Sequence, residues 1–327
     1  MKKLVFSALV LVSMFSCQKE DANVTPENTP SAVAINKVSL RGCITQEMHE
    51  LDLKKDPSLA KRMADIEEYT KNAMSQGRIV NGVLEIPVVF NVLYRTSTEN
   101  ISLAQLQSQI DVLNKDFTAT NSDINTANNP YSSVRVNVGI RFVLDQVIRK
   151  VTTKTVWYSE DQFMKSTANG GIAATSPTTK LNFWVVNNLE SRTQGQLLGY
   201  AQFPGGASST DGVVCGHYCT GTGGTTSAPF NLGRTATHEV GHWMNLRHIW
   251  GDATCGSDLV SDTPTHNAPN GGVPAVGHRS TCSGAPLEMY MNYMDYTDDR
   301  GMYMFSIGQA NRMLTIFGTS GSRSSFR

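Results

Sequence analysis

Three histidines and one glutamate in the eleven residues "HEVGHWMNLRH", 238–248, constrain this chain more than any other stretch. On an α-helix His238 and His242 stand four residues apart, so both rings leave one face. At that spacing two neutral imidazoles can hold one Zn²⁺, and Glu239 beside them is placed to take a proton from water. His248 follows six residues after His242. On a continued helix those six steps turn it through about 600°, to the far side from the metal. A shared site therefore requires the helix to stop between them. A sharp stop calls for positive φ, which glycine adopts freely and asparagine next most readily. The spacing predicts a helix over 231–245 that reverses at Asn245, bringing His238, His242 and His248 onto one ion.

The rest of the chain supplies a setting for such a site. It has 327 residues, 17% of them charged, with a formal net charge of zero. That length can bury a large core, and the balance excludes an electrostatic nucleic-acid binder. The start, "MKKLVFSALVLVSMFSC", pairs two lysines with an apolar stretch too short to span a bilayer, the pattern of an export signal over 1–16. Ser16-Cys17 resembles a bacterial lipoprotein cleavage site. This implies an exported protein at the cell surface or outer membrane, attached only by lipid on Cys17; simple secretion is the alternative. Residues 17–36 are polar and proline-bearing, a flexible tether. Helical spacing over 46–76 is interrupted at Asp56-Pro57. Strand patterns follow at 83–95, 138–147 and 181–186, with a candidate edge strand at 198–205. Helices are expected at 102–117, capped by Ser102, and at 306–317. The fold class is α+β with a mixed sheet. The change in composition near residue 80 separates a helical N-terminal segment at 37–78, which the resemblance described below makes a pro-segment, from a large globular domain at 79–327, which it makes the catalytic domain. Of the six cysteines, Cys215, Cys219, Cys255 and Cys282 allow three pairings, and Cys215–Cys219 with Cys255–Cys282 is favoured because each closes a Gly/Thr/Ser-rich loop. His49, His217, His266 and His278 lack motif spacing and are expected on the surface or in loops.

His238-Glu239-x-x-His242-x-x-Asn245-x-x-His248 resembles the zinc motif of the metzincin peptidases, with asparagine where glycine is usual. "MNYMDYTDD", 291–299, resembles their methionine turn, with Met294 packed under the site. "TATHEVGHWMNLRHIWGD", "LLGYAQFPG" and "SDTP" are similar to the pappalysin branch, and the likeness spans roughly 40–317. The resemblance implies a metzincin-like catalytic domain: a twisted mixed β-sheet, an active-site helix and a Met-turn, preceded by a helical pro-segment. It implies a zinc endopeptidase acting on protein or peptide substrates, with Glu239 as general base and Tyr296 stabilising the oxyanion. It also implies latency, with Cys43 of "RGCIT" on the zinc; Ile44 stands where the family usually has glycine. Relatives tend to cut before arginine, so Gly77–Arg78 is the expected self-cleavage bond. Asp298 and Asp299 are candidates for an acidic pocket that takes Arg or Lys. Asp252, Asp258, Asp262 and Thr263 form a candidate Ca²⁺ loop. Two rivals are a peptidase whose third zinc ligand is a downstream glutamate, and a non-catalytic surface-binding lipoprotein with a structural zinc.

Overall fold

The apolar runs at 88–93 and 181–186 are buried on both faces, as the central strands of a parallel sheet covered on both sides must be. A computed structural model describes residues 41–75, 82–123 and 129–327. The signal, the tether, Cys17 and the Gly77–Arg78 bond lie outside the described residues. Two helices come first, α1 (Thr45–Lys55) and α2 (Ser58–Ser75), broken at Asp56-Pro57 as expected. Then follow β1 (Leu84–Tyr94), α3 (Leu103–Phe117) and β2 (Ile140–Val151). Ser102 caps α3 by accepting a hydrogen bond from Gln105 N. Short β3 (Trp157–Tyr158), β4 (Leu181–Val186), β5 (Leu189–Ser191), β6 (Gly195–Gln196), β7 (Gly199–Ala201) and β8 (Val213–Gly216) precede the buried helix α4 (Arg234–Trp243) and the last helix α5 (Ile307–Thr315).

The main sheet runs β2-β1-β4-β8-β7, parallel except that β7 lies antiparallel to β8 at the edge. One face packs Ile86, Val88, Phe90 and Phe183 against Leu106, Ile110 and Leu113 of α3 and Val240 and Trp243 of α4. The other face packs Trp184, Val186, Tyr200 and Val214 against Trp157, Met164 and Leu189, together with Ile44 and Met48 from the first segment. A small second sheet, β3-β5-β6, flanks this face. The N-terminal segment is thus part of the core. It is also tied down by α2, whose Glu67 takes two hydrogen bonds from the buried Arg312 of α5, at 2.8 and 2.6 Å.

The cysteines answer the pairing expectation in part. Cys255 and Cys282 are bridged, whereas Cys215 and Cys219 are free and buried. Cys219 donates its thiol to Leu198 O and Gly216 O, and Cys215 sits in the core under α4, so each sulfur already has a packing role. His266 is likewise not on the surface: it lies in a loop but is fully buried, accepting a hydrogen bond from Met289 N. Cutting the Cys255–Cys282 bridge with a double serine substitution releases a loop of 27-residue separation. The chain-entropy relation puts the loss at about 2–4 kcal/mol. A denaturant titration in oxidising buffer checks this, and an unchanged midpoint would show the loop is held by packing alone.

Candidate active site

Helix α4 buries all ten of its residues, so every polar group on it needs a partner. Thr237 donates to Asp116, and Arg234 pairs with Asp116 at 3.1 Å and Asp123 at 2.9 Å. These bonds fix the rotation of the helix. His238 and His242 then leave the same face. The helix ends at Trp243, and Asn245 adopts φ 73°, the left-handed reversal expected from its side chain. Leu246 N closes back onto Gly241 O at 2.9 Å, and the buried Arg312 donates to Asn245 O at 2.7 Å. This turn delivers His248 to the other two rings: Nε2 of His242 is 3.1 Å from Nε2 of both His238 and His248.

Those short separations are not hydrogen bonds. Each Nδ1 faces an acceptor: Tyr293 O for His238 at 2.7 Å, Leu246 O for His242 at 2.8 Å, and the Asp252 carboxylate for His248. The proton of each ring is therefore on Nδ1, and three bare Nε2 lone pairs converge. Such lone pairs repel unless a cation sits among them, and buried imidazoles with oriented Nδ1–H groups are metal donors. Burial pushes the imidazolium form of His242 down to about 3, helped by neighbouring His248, so the ring is a neutral donor. Cys43 Sγ completes the set: these four ligand atoms lie within 4.8 Å of one another, the one such cluster among the described residues. The donor set fits zinc.

Glu239 faces the same point and is fully buried. Its Oε2 accepts the Thr45 hydroxyl at 3.1 Å and lies 3.5 Å from Cys43 Sγ, while Oε1 has no hydrogen-bond partner among the described residues. Desolvation pushes its carboxyl up to about 8, against the hydrogen bonds from Cys43 and Thr45. Edge strand β7 passes so close that a Cβ on Gly199 would meet Val214 O at 2.9 Å and Glu239 Cγ at 3.0 Å. Beneath the helix, a Cβ on Gly241 would meet Met294 Sδ at 2.5 Å, so glycine there is what lets the methionine turn seat. Tyr296, two residues on, donates its hydroxyl to Cys43 O at 2.8 Å.

The first segment fills this cleft in order. Arg41 is buried, with Nη2 2.6 Å from Asp299 Oδ1 and 3.1 Å from Thr297 O, Nη1 donating to Thr235, and its guanidinium 5.0 Å from the Phe230 ring centre. Asp299, not Asp298, is the carboxylate on this arginine. Its other oxygen accepts Leu232 N and Arg234 N, which holds it in place. Gly42 O takes Leu198 N, Cys43 bridges Gly199 in parallel, and Thr45 Oγ1 takes Ala201 N at 2.9 Å. The edge of β7 is thereby covered. Ile44, at φ −123°, has no need of a glycine and packs into the apolar face of the sheet.

The carboxylates of the expected calcium loop have different hydrogen-bond partners. Asp252 accepts from His248, Asp258 from the Thr263 hydroxyl at 2.9 Å, and Asp262 from Ser306 and Gly308 N at the start of α5. Each carboxylate is occupied by a different local bond. Asp252 belongs to the histidine cluster, four residues after His248. Sequence reading also missed Trp250, whose ring stacks on His248 at 4.3 Å and meets Tyr296 edge-on, and Thr45, since no spacing ties them to the motif.

A helix carrying two imidazoles, a left-handed reversal bringing a third, and a methionine turn below define a metzincin metalloprotease. Comparison with known proteins sets the family. The family model described as pregnancy-associated plasma protein-A matches residues 168–317. Extracellular metalloprotease 1 of Coccidioides posadasii is 34% identical over 245 residues, covering 72% of this chain and 77% of that protein. Among solved structures, a mutant of Tannerella forsythia promirolysin matches with a TM-score of 0.76 and 36% identity, covering 88% of this chain and 97% of that one. Mature mirolysin of the same bacterium, in complex with a cleaved peptide, matches with a TM-score of 0.71 and 39% identity, covering 76% and 96%. The chain belongs to the pappalysin family of metalloproteases, which are zinc enzymes.

The reversal makes a direct test. Asn245→Gly should keep the fold and one bound zinc, since glycine holds φ 73° without strain. Asn245→Val should lose about 1–3 kcal/mol of unfolding free energy and much of its metal. Equal zinc content and stability in the two variants would show that the turn is not under the control of this residue.

Proposed function

We propose that the chain is an exported zymogen whose released domain is a zinc endopeptidase cutting on the amino side of arginine or lysine. The observation that carries this reading is the seating of Arg41 on Asp299 two residues before the Cys43 thiol reaches the three imidazoles. The first segment presents a basic side chain to a buried acid and a soft ligand to the metal position at once. His238, His242 and His248 would hold zinc through Nε2, with Cys43 as the fourth ligand in the latent chain. Zinc there supplies Lewis-acid polarisation of the scissile carbonyl and of the attacking water. The Glu239 carboxylate takes the proton of that water and hands it to the departing amine. Tyr296 donates to the oxyanion; in the latent chain its hydroxyl bonds a peptide carbonyl, that of Cys43. The N–H groups of β7, now covered by Gly42 and Thr45, would pair with an extended substrate.

Two comparisons support the latent form and export. The structural match lengthens from 76% to 88% of this chain when promirolysin replaces mature mirolysin. Fungal relatives are named extracellular metalloproteases. Together with the N-terminal signal pattern, they favour a protein that leaves the cytoplasm.

A peptide library digested by the processed enzyme should yield products beginning with Arg, and next Lys. Glu239→Gln should lower kcat/KM by about 10²–10⁴-fold while zinc content stays at one. Asp299→Asn should lower kcat/KM on arginine peptides by about 10–100-fold and narrow the gap to neutral peptides. Cleavage with no basic preference would remove the specificity reading, and a Glu239→Gln protein as active as wild type would remove the mechanism. A chelator should abolish activity and zinc restore it. Cys43→Ala should shorten the lag before the chain processes itself, because it frees the metal position while Arg41, Gly42 and Thr45 still fill the cleft.

A further inference from the structure

Lys165 is a buried cation that the chemistry above does not use. It is 4% exposed, and its Nζ donates to Thr210 O at 2.7 Å. Its ammonium lies 4.8 Å from the Tyr200 ring centre and 5.2 Å from that of Trp184, an apolar and aromatic bed. Tyr200 belongs to β7, the strand that borders the cleft. The nearby Asp211 is committed elsewhere, to two hydrogen bonds from Arg323 and one from Trp243. What covers Lys165 is α1. A small cavity is lined by Lys165, Gln162 and Phe203 on one side and by Met48, His49 and Asp52 of α1 on the other. Gln162 sits at φ 53°, left-handed for a side-chain-bearing residue, and its Nε2 is 3.5 Å from Asp52 Oδ1. Phe203 meets the His242 ring edge-on at 5.5 Å, so the cavity adjoins the metal cluster.

The path of the first segment tells which part of a substrate this cavity would see. Arg41 lies on Asp299, Cys43 at the imidazoles, Thr45 on Ala201, and Asp52 over Gln162, in that order along the cleft. The segment runs parallel to β7. A substrate cut before its arginine, with that arginine on Asp299, must run the other way. Its residues before the scissile bond then lie where Thr45 to Asp52 lie now. Those residues are helical in α1, so they advance about 10 Å, which an extended chain covers in about three residues.

We infer that Lys165 and Gln162 form a substrate subsite for an acidic side chain about three to six residues before the scissile bond, held in the latent chain by Asp52. The inference rests on the proposed cleavage before arginine and on removal of the first segment. Burial pushes the Lys165 ammonium down to about 8, opposed by the charges of Asp211 and Asp52, so the site already favours a carboxylate beside it. Lys165 is a specificity residue here and touches no reacting atom.

The test uses the full chain after self-processing and a peptide set with arginine after the scissile bond. Aspartate, glutamate, asparagine or glutamine is placed in turn at each of the six preceding positions. Wild type should favour an acid over its amide by about 5–10-fold in kcat/KM at one or two adjacent positions, worth about 1–1.4 kcal/mol. The ratio should shrink as NaCl is raised. In Lys165→Met it should fall to near one, and in Lys165→Arg it should persist. A wild-type ratio near one at all six positions, or a ratio unchanged in Lys165→Met, overturns the inference. The wild-type ratio and its salt dependence read the subsite even if Lys165→Met fails to fold. Cleavage of the all-amide arginine peptides by wild type, in the same assay, reads the proposed function separately.

Discussion

Three nitrogen lone pairs held face to face are the constraint on which the rest of the site depends. Repulsion among the Nε2 atoms of His238, His242 and His248 is sustained only because each ring is pinned at its other nitrogen. The pins come from three different places: Tyr293 O in the methionine turn, Leu246 O in the reversal, and Asp252 beyond it. The fold can be understood as what holds these three acceptors still. Asp116 and Arg234 fix the roll of α4, Arg312 fixes the carbonyl of Asn245, and Ile249 N bonds Met294 O to tie the reversal to the turn. Loss of any one lets a ring rotate, and a rotated ring no longer offers its lone pair.

The first segment runs parallel to β7, and on the proposed reading it engages the groups that would engage a substrate, but in the opposite chain direction. Asp299 holds a guanidinium, Tyr296 a peptide carbonyl, and the edge of β7 a backbone carbonyl and a hydroxyl. That reversal would let such a segment occupy the cleft without being cut. Thr45 sets its hydroxyl against Glu239 Oε2, and the thiol of Cys43 stands at the imidazoles. Burial raises the Glu239 carboxyl to about 8, against the hydrogen bonds from Cys43 and Thr45 that pull it down. On the proposed reading, latency would act on the general base as well as on the metal position.

Much of this was legible in the chain because local rules decide it. Period 3.6 and a left-handed asparagine fixed the histidine geometry, β-branched runs marked β1 and β4, and Ser102 marked the start of α3. The expected helix over 231–245 proved shorter, Arg234–Trp243, because the left-handed Gly233 and the reversal trim both ends. What was not legible depends on long-range packing. β8 is four residues long, and its Cys215 faces the core, so the Cys215–Cys219 pairing favoured from loop composition does not form. Composition also cannot show where the carboxylates of the acidic loop point. Asp252 turns to His248 and Asp262 to α5. Asp299 was named with its neighbour Asp298, and only the placement of Arg41 separates them.

The strength with which the first segment is held does not reside in the buried ion pair. Removing Arg41 and Asp299 from water costs several kcal/mol for each ion, and their attraction roughly repays it. What the pair contributes is register, since no other pairing along the segment satisfies both ions. The favourable free energy comes instead from Ile44 and Met48 packed on the sheet and from α2 held by Glu67 and Arg312. These contacts are strong while they belong to one chain, because the segment is present at the high effective concentration that a covalent link confers. The proposed cut between α2 and β1 would make the same contacts bimolecular. At low protein concentration the segment would then dissociate without any contact having been weakened. In the proposed zymogen, an apolar anchor, a polar register and a single cuttable link would thus be sufficient to hold the segment while the chain is whole and to let it go once the link is cut.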